Sequence, residues 1–341
     1  MVKYGYALGD NMDPSALIER ARMIESAGFD VAWSNELFTS PFVPLATVAP
    51  HVPKIHLGSS IAYGFTRSPL ETAITALDLD VITEGRFILG LGSGVRRLNE
   101  SWHGVPDYGR PAPHLKECVQ AVRRIIEAIG KGEPVRFEGK YYDIDMRGWG
   151  GSRQPVRGHI PIFMAAVREG MTRAAGDVAD GILGFPMWSL KWIKEVILPN
   201  VAIGLKRSGR DRKEIEVWAS VTVAITRDKK QGYLDARGVP GFYTTVRTYQ
   251  PLVAWHGYEK EAGQIRDAFV KLQGFGPEVL EPVHQEMVDT FVIVGTADEA
   301  RKRVAEFAEV CDAIDFNVPS YFVPKERVAE YEKALFETFG R

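Results

Sequence analysis

Residues 85–94 constrain the fold of this chain more than any other segment. Their sequence is Gly-Arg-Phe-Ile-Leu-Gly-Leu-Gly-Ser-Gly: a glycine that ends a helix pattern, an apolar run without polar alternation, and then small residues. A run of this kind is typical of a parallel strand that is covered on both faces. The glycines after it leave space at the carboxyl end of the strand, where α/β sheets and barrels bind their ligands.

A junction between a helix pattern and an apolar strand recurs along the chain. In each instance an amphipathic stretch ends at a short polar or glycine-containing link, and an apolar run follows. The instances lie at residues 26–34, 83–90, 178–185 and 310–319. Repeated return from helix to strand through a tight link is typical of successive βα units, which build a parallel sheet. Helix-capping sequences at Asp13, Ser68 and Thr296 support this interpretation.

Eight strands are predicted, at residues 4–8, 31–35, 56–62, 87–91, 160–166, 181–185, 216–225 and 313–318. Eight strands with intervening helices indicate an α/β protein with the (β/α)8 TIM-barrel fold rather than a doubly wound sheet. The chain has 341 residues, which barrels with insertions routinely use as one domain. We therefore expect a single domain over residues 1–341.

Two insertions interrupt the predicted repeat. Residues 131–159 contain a hairpin pattern around Gly139-Lys140. Residues 227–289 leave the carboxyl end of the seventh strand, so they are expected to form a lid or substrate wall over the barrel mouth. A helical insertion without a role in the site is the alternative for this second segment.

Composition limits the partners of the chain. Its formal net charge is −2, with basic and acidic residues interspersed, which argues against binding to nucleic acid or to an anionic membrane. No apolar stretch reaches the length of a membrane span, and no signal peptide is evident at the N-terminus. Cys118 and Cys311 fall in helix-like patterns and are expected to be buried thiols. A cytoplasmic protein is predicted, and no residue spacing indicates a metal site.

The chain resembles the bacterial luciferase-like superfamily over almost its whole length. The residues that carry the resemblance lie at 27–33, 57–69, 85–94, 161–166 and 170–181. It is most similar to the branch that uses the deazaflavin coenzyme F420, which includes methylene-tetrahydromethanopterin reductase. The resemblance implies a TIM barrel with a flavin-type cofactor at its mouth, either F420 or, as the alternative, FMN.

The resemblance also implies the residues that hold the cofactor. A non-prolyl cis peptide at Ser60-Ile61 is expected to form a bulge against one face of the ring. After the fifth strand, the start of a helix at Gly170 is expected to bind the cofactor phosphate, because free backbone N–H groups and the helix dipole favour an anion there. The full set of predicted cofactor residues is Asn35, Ser60, Ile61, Ala62, Ser93, Gly94, Ala165, Val167, Arg168, Gly170 and Met171.

Three residues are candidates for proton transfer: Glu36, Tyr63 and His103. Many F420-dependent relatives have Asp-His where this chain has Asn35-Glu36. In an apolar mouth Glu36 would act as an acid or base near neutral pH, because burial disfavours the ionised carboxylate. A salt-bridged residue at the rim is the alternative for Glu36, and a structural role is the alternative for His103.

The predicted function is hydride transfer between F420 and a small organic substrate, with the redox chemistry supplied by the cofactor. An FMN-dependent monooxygenase is the first alternative, and a barrel that binds the cofactor without catalysis is the second. A homodimer is also expected, as in relatives.

Overall fold

The computed structural model describes residues 2–10, 13–148 and 155–341. Its strands are β1 (Lys3–Ala7), β2 (Val31–Ser34), β3 (His56–Ser59), β4 (Ala62–Tyr63), β5 (Phe87–Gly92), β6 (Arg136–Glu138), β7 (Asp143–Asp145), β8 (Ile162–Ala165), β9 (Gly181–Leu183), β10 (Glu216–Ile225), β11 (Val292–Gly295) and β12 (Ala313–Asn317).

The α-helices alternate with these strands over most of the chain. They are α1 (Pro14–Ser26), α2 (Val43–Val48), α3 (Pro69–Ile82), α4 (Pro111–Lys131), α5 (Glu169–Val178), α6 (Leu190–Trp192), α7 (Leu198–Ser208), α8 (Lys229–Ala236), α9 (Gly238–Thr244), α10 (Gln250–Trp255), α11 (Glu259–Leu272), α12 (Gln285–Phe291), α13 (Ala297–Ala308) and α14 (Lys325–Phe339). Short π-helical turns at Leu98–Trp102 and Ile193–Ile197, with 3-10 turns elsewhere, complete the described helices.

The fold is the predicted (β/α)8 TIM barrel, and its eight strands are β1, β2, β3, β5, β8, β9, β10 and β12. The eight predicted strands are present, and most ends differ by one or two residues. One prediction is wrong in detail: the strand expected over residues 56–62 is interrupted, so that β3 ends at Ser59 and the chain pairs again only at β4. The interruption coincides with a cis peptide at Ser60-Ile61.

One strand was missed by the sequence analysis. β11 pairs in parallel with β10 over Thr222–Ile225, whereas β12 pairs with β10 over Trp218–Thr222. β10 is ten residues long, so its second half extends past its partner in the barrel and pairs with an additional short strand. The four-residue sequence Val-Ile-Val-Gly of β11 is too short to stand out as a strand beside a helix.

The chain divides into two compact units. The N-terminal unit contains Lys3–Leu183 and Ile197–Val217, and within it the strands follow the order β1-β2-β3-β5-β8-β9 with parallel pairing. The C-terminal unit contains Gly184–Val196 and Trp218–Arg341, and in it β10 lies between β11 and β12. All six residues of β5 are buried, as expected for a strand covered on both faces.

The predicted helix caps are present. The Asp13 side chain accepts a hydrogen bond from Ala16 N, and the Ser68 hydroxyl accepts one from Glu71 N. Thr296 and Glu299 form a reciprocal capping box at the start of α13. These caps satisfy backbone donors that a helix start otherwise leaves free, which fixes where the chain turns back towards the sheet.

The two predicted insertions contain regular structure. In the first, β6 and β7 pair antiparallel, with Gly139 and Lys140 in the connection between them, while its residues 149–154 lie outside the described part of the chain. The second consists of helices α8 to α11 with the start of α12. Whether it acts as a lid over the substrate stays a prediction.

Candidate active site

The break between β3 and β4 is the centre of the candidate site. The peptide Ser60-Ile61 is cis, which confirms the sequence prediction of a non-prolyl cis bond there. Ser60 N donates to Ser34 O at 2.8 Å, which ties the bulge to the end of β2. After the bulge, Ala62 and Tyr63 pair with β5. Ser60 and Ile61 keep part of their surface accessible, whereas Ala62 is buried.

The glycines of β5 are required by this bulge. A Cβ atom on Gly90 would lie 1.9 Å from the backbone O of Ser59, and one on Gly92 would lie 2.6 Å from Cδ1 of Ile61. The small residues therefore make room for the interrupted strand beside them. The sequence analysis assigned this space to a ligand, whereas the nearest atoms in the structure are the backbone oxygen of Ser59 and the side chain of Ile61.

Glu36 is held by three hydrogen bonds. Its Oε2 accepts from Tyr63 N at 2.7 Å and from Arg67 Nη1 at 2.9 Å, and its Oε1 accepts from Arg67 Nη2 at 2.7 Å. The Glu36 side chain is buried, and that of Arg67 is largely enclosed. A bidentate arginine–carboxylate pair is strongly oriented. These contacts match the salt-bridge alternative that the sequence left open for Glu36.

Tyr63 and His103, two candidates for proton transfer, lie beside each other. Their ring centroids are 5.8 Å apart with the planes close to perpendicular. Tyr63 is buried and His103 is exposed, so the histidine is the one open to solvent. Asn35, which follows β2, is partly accessible.

The turn after β5 is fixed by two residues that the sequence analysis did not assign to the site. Asn99 Nδ2 donates to Ser93 O at 2.8 Å, and the Tyr108 hydroxyl donates to Gly94 O at 2.8 Å. Gly94 has φ +59°, which favours glycine, and a Cβ atom there would crowd Asn99 and the Tyr63 ring. Burial raises the pKa of Tyr108, which keeps its hydroxyl protonated as a donor. Asn99 is fully buried, a signal that the sequence alone does not give.

The start of α5 is open, as a phosphate site requires. Arg168 occupies the N-cap position without a side-chain hydrogen bond to the helix, and Val167 before it is partly accessible. A Cβ atom on Gly170 would meet a single neighbour, Ala112 Cβ at 3.9 Å. Met171 is partly accessible, and Ala165 is the last residue of β8.

Two further charged residues lie in the first turns of α5. Glu169, whose carboxylate would repel an anion, is exposed. The Arg173 side chain turns to α7, where its Nε donates to Asn200 Oδ1 at 2.6 Å. Of Arg168 and Arg173, the two arginines near the start of α5, only Arg173 makes such a contact among the described residues.

Three further features of the described residues concern metal ligands, cysteines and membrane-spanning helices. No group of histidine, cysteine and acidic side chains among them has the arrangement of a metal site. Cys118 and Cys311 are buried and unlinked, and burial raises the pKa of the Cys118 thiol to about 12. No described helix is long and apolar enough to cross a membrane.

Comparison with known proteins places the chain in a family. A family model described as luciferase-like monooxygenase matches residues 3–312. An uncharacterized protein of Mycobacterium tuberculosis (strain ATCC 25618 / H37Rv) is 35% identical over 286 residues, 82% of this chain and 83% of that protein. The 5,10-methylenetetrahydromethanopterin reductase of Methanolobus tindarius is 29% identical over 293 residues, 85% of this chain and 86% of the reductase.

A solved structure is similar over the whole chain. The coenzyme F420 dependent tetrahydromethanopterin reductase of Methanopyrus kandleri has a TM-score of 0.81 and 25% identity, and the match covers 100% of this chain and 97% of that one. The match supports the barrel assignment, and two of the three named relatives are reductases. The chain is therefore an enzyme, and it belongs to the luciferase-like monooxygenase family.

Proposed function

We propose that this enzyme transfers a hydride between coenzyme F420 and a small organic substrate. The observation that carries the proposal is the occurrence, within one unit, of a backbone bulge at Ser60-Ile61 and an open helix start at Gly170. The two features suit the two parts of such a cofactor, a planar ring and an anionic tail. The F420-dependent reductase of Methanopyrus kandleri, whose structure matches this chain with a TM-score of 0.81, supports F420 over other cofactors.

The residues present fit such a group. At Gly170 the space that a Cβ atom would fill is open, and the first backbone N–H groups of α5 have no side-chain cap. Helix starts of this kind bind phosphate through N–H groups and the helix dipole. Ser60 and Ile61 are accessible at the bulge. We assign the ring to Asn35, Ser60, Ile61, Ala62, Ser93 and Gly94, and the phosphate to Ala165, Val167, Arg168, Gly170 and Met171.

F420, when bound, supplies the carbon that gives or accepts the hydride. The protein's own contribution is to position the partners and to move a proton. Glu36 orients the segment after the bulge, because it binds both Tyr63 N and the Arg67 guanidinium. We assign proton transfer to His103, which is exposed next to Tyr63, because imidazole is the side chain that enzymes use most often for proton transfer.

Titration of the purified protein with F420 and, separately, with FMN tests the proposal. Quenching of cofactor fluorescence reports binding in both cases. We expect saturable binding of F420, and hydride transfer from reduced F420 to at least one compound in a panel of carbonyls, imines and alkenes. Binding of FMN without binding of F420 would overturn the choice of cofactor.

A pair of glycine variants tests the phosphate site. Gly170→Asp places a carboxylate at the open start of α5, and Gly263→Asp places one in α11, where a Cβ atom would meet no described neighbour within 4 Å. We expect Gly170→Asp to weaken F420 binding by roughly tenfold or more, since it brings like charges together. Gly263→Asp should bind F420 as the wild type does. Equal F420 affinities in the two variants would show that the cofactor phosphate does not bind at the start of α5.

The FMN-dependent monooxygenase is the second candidate, and the description of the matching family favours it. It predicts oxygen consumption with reduced FMN, which the first candidate does not. The third possibility is a barrel that binds the cofactor without catalysis. It predicts cofactor binding but no turnover of any compound in the substrate panel.

A homodimer and a cytoplasmic location stay predictions. The exposed face of α3 supports the first, because Ile74, Val81 and Ile82 are each more than 40% exposed there. Sedimentation of the purified protein at micromolar concentration measures the oligomeric state directly.

A further inference from the structure

β12 carries polar side chains on the side opposite its contact with α14. Phe316 is fully buried, and its ring centroid lies 4.6 Å from that of Phe339 in α14. Because side chains alternate along a strand, Asp315 and Asn317 face the interior of the barrel. Ser220 of β10 is in register with Asp315, and its Oγ accepts a hydrogen bond from Asn317 Nδ2 at 2.8 Å.

The Oδ1 atom of Asp315 has no such partner among the described residues. Its Oδ1 atom has no accessible surface and no hydrogen bond, while the residue as a whole keeps some accessible surface. Within the described ranges, no lysine, arginine or histidine forms an ion pair with it. Burial raises the pKa of Asp315 to about 7. Buried polar groups are almost always paired, so an unpaired carboxyl inside a barrel points to a ligand that supplies the partner.

One aromatic side chain of the same unit, Tyr243, is close enough to this carboxyl to be affected by its charge. The pKa of Tyr243 is raised well above its ordinary value, first by burial, then by Tyr321, and also by the negative charge of Asp315. Tyr243 and Tyr249 both pack on Phe185, with ring centroids 4.7 and 4.3 Å from it. The three tyrosines keep part of their surface accessible. Aromatic faces attract cations, and more strongly where water is excluded.

We propose that Asp315, with Tyr243 and Tyr249, binds a positively charged nitrogen of the substrate. A protonated amine or an iminium nitrogen gives the carboxylate the opposite charge that the protein does not provide, and an amine also gives it a hydrogen-bond donor. The tyrosine rings cover the apolar part of the same group. This inference rests on the proposed function for its chemistry, and it adds the substrate class: nitrogenous cations rather than neutral alcohols or ketones.

Direct binding of two matched probes tests the inference. Benzylammonium and benzyl alcohol have nearly the same shape, and only the first carries a charge. Their binding is measured by calorimetry and by ligand-observed NMR at about pH 8, where a carboxyl that titrates near neutrality is ionised. The proteins are the wild type, Asp315→Asn, and the control Asp312→Asn, which changes an exposed carboxyl three residues earlier.

We expect benzylammonium to bind the wild type and Asp312→Asn alike, and Asp315→Asn roughly tenfold or more weakly, because a charge-assisted hydrogen bond is lost. Benzyl alcohol should not distinguish the three proteins. Equal benzylammonium affinity in all three, or no binding at millimolar concentration, overturns the inference.

A parallel titration with F420 separates this inference from the proposed function. If Asp315→Asn binds F420 as the wild type does but has lost benzylammonium, the nitrogen site stands and the variant is folded. If none of the proteins binds F420, the proposed cofactor is wrong, whereas the benzylammonium result still decides the nitrogen site.

Discussion

Ser59 and Gly90 are joined by two reciprocal hydrogen bonds. The Ser59 Oγ donates to Gly90 O at 2.8 Å and accepts from Gly90 N at 2.9 Å. The backbone ladder between β3 and β5 ends at the pair Gly58–Ile88, so the serine side chain continues the pairing where the backbone of β3 turns away into the bulge. A side chain thus takes the place of a strand partner.

Ser59→Ala is expected to lower the free energy of unfolding by about 2 kcal/mol, because it leaves the buried N–H and C=O of Gly90 without partners. Urea denaturation followed by circular dichroism measures the change. Ser15→Ala, at an exposed position near the start of α1, is the control and should have little effect. A loss no larger than that of the control would show that the two bonds contribute nothing net.

Alanine at Gly90 and at Gly92 should have different effects. The Cβ of Gly90→Ala would overlap the backbone oxygen of Ser59, which cannot move without disrupting β3, so we expect severe destabilisation or insoluble protein. The Cβ of Gly92→Ala would meet Cδ1 of Ile61, the end of a flexible side chain. This variant should fold, and it should bind F420 more weakly because Ile61 must shift.

Denaturation and F420 titration of the two variants check this contrast. A well-folded Gly90→Ala protein would contradict the close approach of the bulge to β5. Unchanged F420 affinity in Gly92→Ala would separate Ile61 from the cofactor site and leave the fold description intact.

The sequence predicted the barrel because its signals are local. The apolar run at residues 87–91 and the caps at Ser68 and Thr296 each depend on neighbours in the chain, and each is present in the structure. β11 was not predicted because it is stabilised by long-range pairing with the second half of β10. No local pattern of four residues reports such a pairing.

The site was predicted less completely than the fold, for the same physical reason. The resemblance located the cis peptide at Ser60-Ile61 correctly. The hydrogen-bond donors to Glu36 are Tyr63 and Arg67, which are 27 and 31 residues away in the chain. The sequence alone therefore could not distinguish a proton-transferring Glu36 from a salt-bridged one. The role of Asn99 depends on its burial and its hydrogen bond to Ser93 O, and that of Asp315 on the burial of its Oδ1 atom. Both depend on the whole fold.

Glu36→Gln tests whether this residue positions the site or transfers a proton. The single variant leaves the largely enclosed Arg67 guanidinium without its charge partner, and we expect it to lose about 3 kcal/mol of unfolding free energy. The double variant Glu36→Gln/Arg67→Met removes both charges and should recover most of the loss.

Turnover with reduced F420 decides the role of Glu36. If it positions the segment, the double variant should retain activity within roughly tenfold of the wild type, with the same pH profile. If Glu36 transfers the proton, activity should stay at least about 100-fold low in the double variant although its stability is restored. We expect the first result, because the three hydrogen bonds that the carboxylate accepts come from donors of the protein itself.

Asp315 should make the stability of the enzyme fall as the pH rises, which is the reverse of what a paired carboxylate does. Burial raises its pKa to about 7 in the folded state, whereas an aspartate in an unfolded chain titrates near about 3.9. Between these values the folded state holds a proton that the unfolded state has released, so the free energy of unfolding decreases with increasing pH and levels off above about pH 7.

Asp315→Asn removes this penalty. The difference in unfolding free energy between the variant and the wild type should therefore grow in favour of the variant by roughly 2–4 kcal/mol between about pH 4 and pH 8. Urea denaturation at both pH values measures the growth, with Asp312→Asn as the control for loss of an exposed acid from the same region. An equal difference in unfolding free energy at the two pH values would mean that Asp315 is solvated or paired in the folded protein. It would contradict an unpaired carboxyl in the barrel interior.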